Sequence, residues 1–177
     1  MNTPREDLHD FVDTLAEEWL AEVPSLHTDS LAVIARIVRM SYYIERKVDP
    51  NLARFDLTRG EFEVLAVLTR NPQRQITPKD LYSKILITSG GLSNRIKKLE
   101  AAGLLVREPD PSDGRGVILK VTPKGRRVAL EAVTSHVEIE RQLLENLAPE
   151  DRTALARLLK KLLLSQSSGQ HKDALNG

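Results

Sequence analysis

The 177-residue sequence predicts a mainly α-helical chain with one small β-hairpin, and three observations carry that reading. Apolar residues recur at helical spacing along most of the chain, interrupted at proline- and glycine-bearing joints. The stretch from Thr77 to Gly125 orders two short helices, a tight turn and then a hairpin whose tip is rich in Pro, Asp and Gly. Charge follows the same boundaries: Lys79 to Arg127 hold 11 Lys/Arg against 5 Asp/Glu, whereas residues 1–70 hold 8 against 13. A formal net charge of +1 therefore conceals a strong division. Two helices and a hairpin in this order, on the basic part of the chain, are the plan of a winged helix-turn-helix, which lays one helix in a DNA major groove with a loop beside it.

The elements follow in order. Residues 5–22 place Leu8, Phe11, Leu15, Trp19 and Leu20 at helical spacing, and Pro24 ends that helix. A longer helix runs from about Asp29 to Leu52, capped by Thr28 or Asp29, with Ile34, Ile37, Val38, Ser41, Tyr42 and Val48 as its inner stripe. Thr58-Arg59-Gly60-Glu61 is a capping box that starts a third helix, Arg59 to Arg70, with Phe62, Leu65, Ala66 and Leu68 inward. Asn71-Pro72 breaks it. Thr77 then caps a short helix with Pro78 at its first position, where the missing N–H costs nothing, and Leu81, Ile85 and Leu86 face the core. Gly90-Gly91 opens the next helix, whose inner face is Leu92, Ile96 and Leu99 and which stops at Gly103. Leu104–Arg107 and Val117–Val121 alternate as strands around a tip at Pro109–Gly116. Thr122-Pro123 starts a helix to about Leu147, and Ala148-Pro149 separates it from a last helix with Leu155, Leu158, Leu159, Leu162 and Leu163 in one stripe. From Ser165 the apolar period is lost, and the tail is expected to be disordered.

Composition excludes several classes. The chain has no cysteine, so disulfides and thiolate sites are ruled out within it. No apolar run approaches the roughly 20 residues that span a bilayer, and the acidic N-terminus lacks the features of a secretory signal, so a cytoplasmic location with no membrane association is expected. Aromatic residues make up 4%, too few for a stacking platform that binds single strands. His9, His27, His136 and His171 lie far apart without metal-ligand spacing, no nucleophile-elbow pattern surrounds any serine, and Gly90-Gly91 lacks the lysine of a phosphate loop. The sequence calls for no enzyme activity, no metal and no cofactor.

The candidate DNA-contacting residues lie on two elements. On the helix from Ser89 to Ala102, Ser89, Ser93, Asn94, Arg95, Lys97 and Lys98 occupy the polar face. Small hydroxyls at its start allow close approach to base edges, and Asn and Arg offer paired groups that suit adenine and guanine. A solvated amphipathic face would carry a similar set. The hairpin adds Arg115 in Asp113-Gly114-Arg115-Gly116, a cation at a flexible tip that suits a narrow minor groove, with Asp113 near enough to hold it extended. A plain polar turn is the alternative there. A protein–protein adaptor using the same fold without DNA is the alternative function, and the basic surplus argues against it.

These residues resemble the MarR family of bacterial transcriptional regulators. The resemblance runs from about Leu57 to Gly125 and rests on LTRGEFEVL, SGGLSNRIKKLEAAGLLVREPDPSDGRG and LKVTPKGR. Its most specific part is Asp113-x-Arg115 followed by Thr122-Pro-Lys-Gly125; Gly114 stands where many members carry a second Arg. The resemblance implies residues 57–125 as the DNA-binding domain, with residues 1–56 and 126–167 as dimerisation helices and 168–177 as a tail. It also implies a homodimer on a pseudo-palindromic double-stranded operator, usually a repressor, released by a small anionic or aromatic effector. The leucine stripes of the terminal helices agree with a dimer, since each needs a cover; closure of the monomer core would also use them.

A narrower resemblance is to the urate-responsive branch of that family, whose extra N-terminal helix carries a Trp. Trp19 matches it, and Glu63, Arg95 and Arg107 match the branch's acid and two arginines, with Glu63 where Asp is usual. The implied switch has an acid–Arg pair between core and DNA-binding part, an anionic ligand that competes for the Arg, and Trp19 stacking on the ligand ring. Trp19 could equally anchor the first helix on the core, and Arg95 could contact DNA directly.

Overall fold

The structure, a computed structural model, describes residues 9–71, 75–85, 89–111 and 113–173, with the side chains of 89–90, 113–115 and 167–173 left outside the description. Two compact units divide the chain, Met1–Val133 and Thr134–Gly177. The elements are α1 (Phe11–Glu22), α2 (Asp29–Ala53), α3 (Arg59–Thr69), α4 (Pro78–Tyr82), α5 (Ser89–Ala101), β1 (Leu105–Asp110), β2 (Asp113–Val121), α6 (Pro123–Leu143) and α7 (Pro149–Asp173). The predicted class, mainly helical with one antiparallel hairpin, holds.

α1 begins later than its apolar spacing predicts, because Asp10 stops it. The Asp10 carboxylate accepts from the N–H groups of Val12 and Asp13 at 2.6 and 3.1 Å, and Asp13 accepts from the Asp10 N–H at 3.0 Å. Residues 5–8 of the expected helix lie outside the described residues. The inward residue is Val12, while Phe11, Trp19 and Leu20 are exposed, which corrects the predicted stripe. α1 packs on α2 and is fastened there by Arg36, whose Nε donates to Asp10 Oδ2 at 2.9 Å and whose Nη2 donates to Asp13 Oδ1 at 2.6 Å. The Arg36 bonds come first in holding the Asp10 carboxyl below its usual range; for Asp13 the Asp10 N–H comes first and Arg36 second. The Arg39 guanidinium also lies 4.0 Å over the Phe11 ring.

α2 departs more from expectation. Of its predicted inner stripe only Val48 is buried; Ile34, Ile37 and Tyr42 are exposed, and Val38 is 63% exposed. Periodicity marks the apolar face of a helix but says nothing about what covers it. The chain reverses after α2 at Asp56, φ 56°, with the Leu57 N–H closing onto the Leu52 carbonyl at 3.2 Å, a reversal that Asp tolerates in the left-handed region.

α3 starts on the predicted capping box: the Thr58 N–H and hydroxyl donate to Glu61 Oε2 at 2.8 and 2.7 Å. Val64 and Val67 are buried along with the predicted Phe62, Leu65 and Leu68, because α3 meets α2, α5 and β2. A second capping box, Thr77 with Asp80, starts α4. α5 buries Leu92, Ile96 and Leu99 as its spacing predicts, and it packs on α3, α4 and β1.

The hairpin is longer than predicted. Leu105 pairs with Val121 and the ladder continues through Pro109 opposite Val117, so most of the expected tip is strand. Pro109 is tolerated because a two-stranded ribbon leaves each strand an outer edge that needs no donor. The register shifts at Pro109/Asp110, beside the turn. The Leu119 N–H also donates to the Ile76 carbonyl at 2.9 Å, which ties β2 to the residue before the α4 cap.

In α6, Gly125, Ala129 and Ala132 are buried. The helix stops at Leu143, short of the predicted Leu147. α7 starts at Pro149, within the expected break, and continues to Asp173, past Ser165, from which the sequence predicts a disordered tail. Its leucines Leu155, Leu158, Leu159 and Leu163 are exposed. Among the described residues no helix is long and apolar enough to cross a membrane.

Candidate nucleic-acid interface

α5 is an amphipathic helix with its inner face locked. Leu92, Ile96 and Leu99 are 3%, 2% and 1% exposed, which fixes the roll of the helix in the core. The positions between them, Ser93, Asn94, Lys97 and Lys98, are therefore exposed. Ahead of α5 lie the capped α4 and the Ser83–Ile85 turn; behind it the hairpin rises directly from the Gly103 turn. Arg115 and Asp113 stand on β2 and Ser89 opens α5, but their side chains lie outside the described residues.

Two of the predicted DNA contacts are turned toward α3. A Cβ on Gly60 would overlap the Arg95 guanidinium, so that group lies directly on the first turn of α3. Lys98 Nζ stands 3.8 Å from Glu61 Oε1. Glu61 itself is 7% exposed. Burial opposes its ionisation, but the two Thr58 hydrogen bonds, aided by the charges of Lys98 and Arg95, outweigh it and hold the carboxyl below its ordinary 4.5. Neither Gly60 nor Glu61 was expected to meet the recognition helix; the capping box was legible, its second role was not.

The sign of the Glu61 shift gives a test. A carboxyl held low in the folded chain contributes stability above its unfolded value and loses it as pH falls through the folded value. Urea unfolding followed from about pH 5 to about pH 3 should therefore show a steeper loss for the wild type than for Glu61→Gln, which keeps the bond from Thr58 but cannot titrate. Parallel curves would remove Glu61 as an acid-sensitive element.

The four residues matched to an effector switch are spread out. Trp19 is 48% exposed on α1, Glu63 is half-buried on α3, Arg95 lies on Gly60, and Arg107 Nε donates to Glu100 Oε2 at 3.0 Å. Among the described residues no hydrogen bond or ion pair joins any of the four to another. Lys120 pairs with Glu108 at 2.6 Å across the hairpin. Among the described residues no group of three or more acidic or histidine side chains could hold a metal ion.

Known proteins resemble this chain in sequence and in fold. The sequence profile of the MarR family matches residues 55–116, from the α2–α3 turn into the hairpin. The HTH-type transcriptional regulator PecS of Dickeya dadantii is 32% identical over 149 residues, covering 84% of this chain and 90% of that protein. A crystal structure of a mutant MarR from E. coli complexed with operator DNA superposes with TM-score 0.66 at 27% identity, covering 78% of this chain and 99% of that one. The S. aureus MepR–DNA complex superposes with TM-score 0.69 at 26% identity, covering 75% and 98%. The chain belongs to the MarR family of transcriptional regulators.

Proposed function

We propose that the chain is a homodimeric DNA-binding regulator that α5 docks in the major groove of a pseudo-palindromic operator, most simply as a repressor. The observation that carries this is the exposed row Ser93, Asn94 and Lys97 opposite a fully buried Leu92–Ile96–Leu99 face. Polar side chains held on a rigid helix can read base edges; the same side chains on a mobile segment could not. The relatives solved with DNA carry a like fold, which supports the same use here. Residues 57–125 are the DNA-binding part in this reading. Arg115 enters the minor groove with Asp113 supporting it, and Ser89 meets the backbone at the helix start.

The dimer rests on the uncovered apolar surface of α2, where Val33, Ile34, Val38, Tyr42 and Tyr43 are all at least half exposed, and on the leucines of α7. Sedimentation of the purified chain should give twice the monomer mass. The effector in this reading is a small anionic or aromatic molecule that acts through Trp19, Glu63, Arg95 and Arg107. Trp19 is the one tryptophan, so its fluorescence reports directly on ligand. Titration with urate, xanthine and phenolic acids should quench it, and silence with all of them would remove that site.

The main test is a duplex-binding assay. Asn94→Ala and Arg115→Ala should each lower specific affinity by about tenfold, consistent with roughly 1–3 kcal/mol for a good base contact, and leave the folded chain intact. Wild-type affinity should fall steeply with salt as phosphate contacts release counterions. A salt-insensitive chain that ignores every inverted repeat would overturn the proposal.

A further inference from the structure

The motif Thr122-Pro-Lys-Gly125 contributes three of its four residues to one contact. Thr122 Oγ1 donates to the Gly103 carbonyl at 2.8 Å, and the Thr122 N–H donates to the Leu104 carbonyl at 3.0 Å. Lys124 Nζ donates to the Ala102 carbonyl at 2.9 Å. The Gly125 N–H donates back to Thr122 Oγ1 at 3.0 Å, and Gly125 lies so close to Leu104 that a Cβ would overlap its carbonyl oxygen. Three successive carbonyls of the turn that follows α5, those of Ala102, Gly103 and Leu104, are thus gripped by the start of α6. Gly103 at φ +69° and the Leu104 N–H bonded to the Leu99 carbonyl at 2.9 Å complete the reversal.

We propose that Lys124 is a positioning residue for sequence reading, acting as a clasp on the C-terminal end of α5 rather than as a phosphate contact. The proposal rests on the reading of α5 as the DNA-docking helix. Carbonyls in the last turn of a helix lack intrahelical donors, and an ammonium there also suits the negative end of the helix dipole. α5 is about 20 Å long at 1.5 Å per residue, so a small swing at its held end displaces Ser93 and Asn94 relative to the base edges. Base hydrogen bonds are lost over about an ångström, whereas attraction to phosphate barely changes over that distance. Loss of the clasp therefore removes specificity and spares general affinity.

The test uses the full chain and two duplexes: one carrying the inverted repeat that the wild type selects from a random pool, and one of equal length and mixed sequence. Lys124→Met keeps the stem and loses the donor and charge; Thr122→Val loses the hydroxyl without a charge change. The expected result for Lys124→Met is about fivefold weaker binding to the selected duplex, the factor for one net hydrogen bond. Affinity for the mixed duplex and the salt slope should stay as in the wild type, and Thr122→Val should move in the same direction. An equal loss on both duplexes, with the salt slope reduced by about one, would identify a phosphate contact and overturn the proposal. Unchanged affinity in both variants would overturn it too. Should the wild type select no sequence, the DNA-docking reading fails by itself. The clasp is then read from amide exchange at residues 99–104, which must quicken in Lys124→Met for it to stand.

Discussion

Gly125→Ala is expected to be the most damaging small substitution in the first unit. The added methyl would stand 2.7 Å from the Leu104 carbonyl carbon and overlap its oxygen. Both are main-chain atoms and cannot rotate aside, so α6 must lift off the α5–β1 turn. The Thr122 and Lys124 bonds loosen with it, leaving the carbonyls of residues 102–104 to find water. A cost of about 3 kcal/mol is expected from such overpacking with lost hydrogen bonds, read as a lower urea midpoint. Gly60→Ala is the built-in control. There the nearest atoms to the methyl all belong to the guanidinium of Arg95, the far end of a flexible side chain that can swing outward. Alanine also favours the helix over glycine by up to about 1 kcal/mol, so Gly60→Ala should leave stability within about 1 kcal/mol of the wild type. Equal tolerance of both substitutions would mean that the joint between α5 and α6 is not tight.

Ser93→Glu should abolish operator binding while leaving the fold unchanged. Ser93 is exposed on α5, between buried Leu92 and Ile96, so a longer side chain meets no core atom. In the proposed complex it faces a groove walled by phosphates, and a carboxylate there also has no acceptor-free base edge to use beyond cytosine. Like-charge juxtaposition costs several kcal/mol, which sets the expected loss at about a hundredfold or more. The circular dichroism spectrum and melting curve should overlay those of the wild type. Tight binding by a well-folded Ser93→Glu protein would place the DNA on another surface. Ser93→Ala, by contrast, should cost little, since it removes one small group and adds no repulsion.

Local chemistry was the legible part of the sequence. Thr58 with Glu61, and Thr77 as a cap before Pro78, act within four residues, so these helix starts can be read without knowing the fold. The Leu92–Ile96–Leu99 face is legible for the same reason, since a helical period is a local property. Three features depend on what lies opposite them, which local spacing does not reveal. The stripe of α2 reads as an inner face although it is exposed, because Ile34 and Val38 look alike in sequence whether covered by the same chain or left open. The hairpin reads too short in the sequence because Pro109 and Asp110 have turn composition, while their pairing with Val117 and Asp113 depends on the opposite strand. Arg95, Lys98 and Lys124 were counted as basic surface, and only the fold shows Gly60, Glu61 and the Ala102 carbonyl beside them.

The attachment of α1 through Arg36 has a practical corollary for any ligand assay. Asp10, Asp13 and Arg36 are all substantially open to water, so added electrolyte weakens the grip that seats this helix. Trp19 rides on that helix, and its emission will drift with ionic strength even when nothing binds. A buffer chosen to strip the chain from DNA would therefore also disturb the reporter, and quenching curves need a matched blank at every salt concentration.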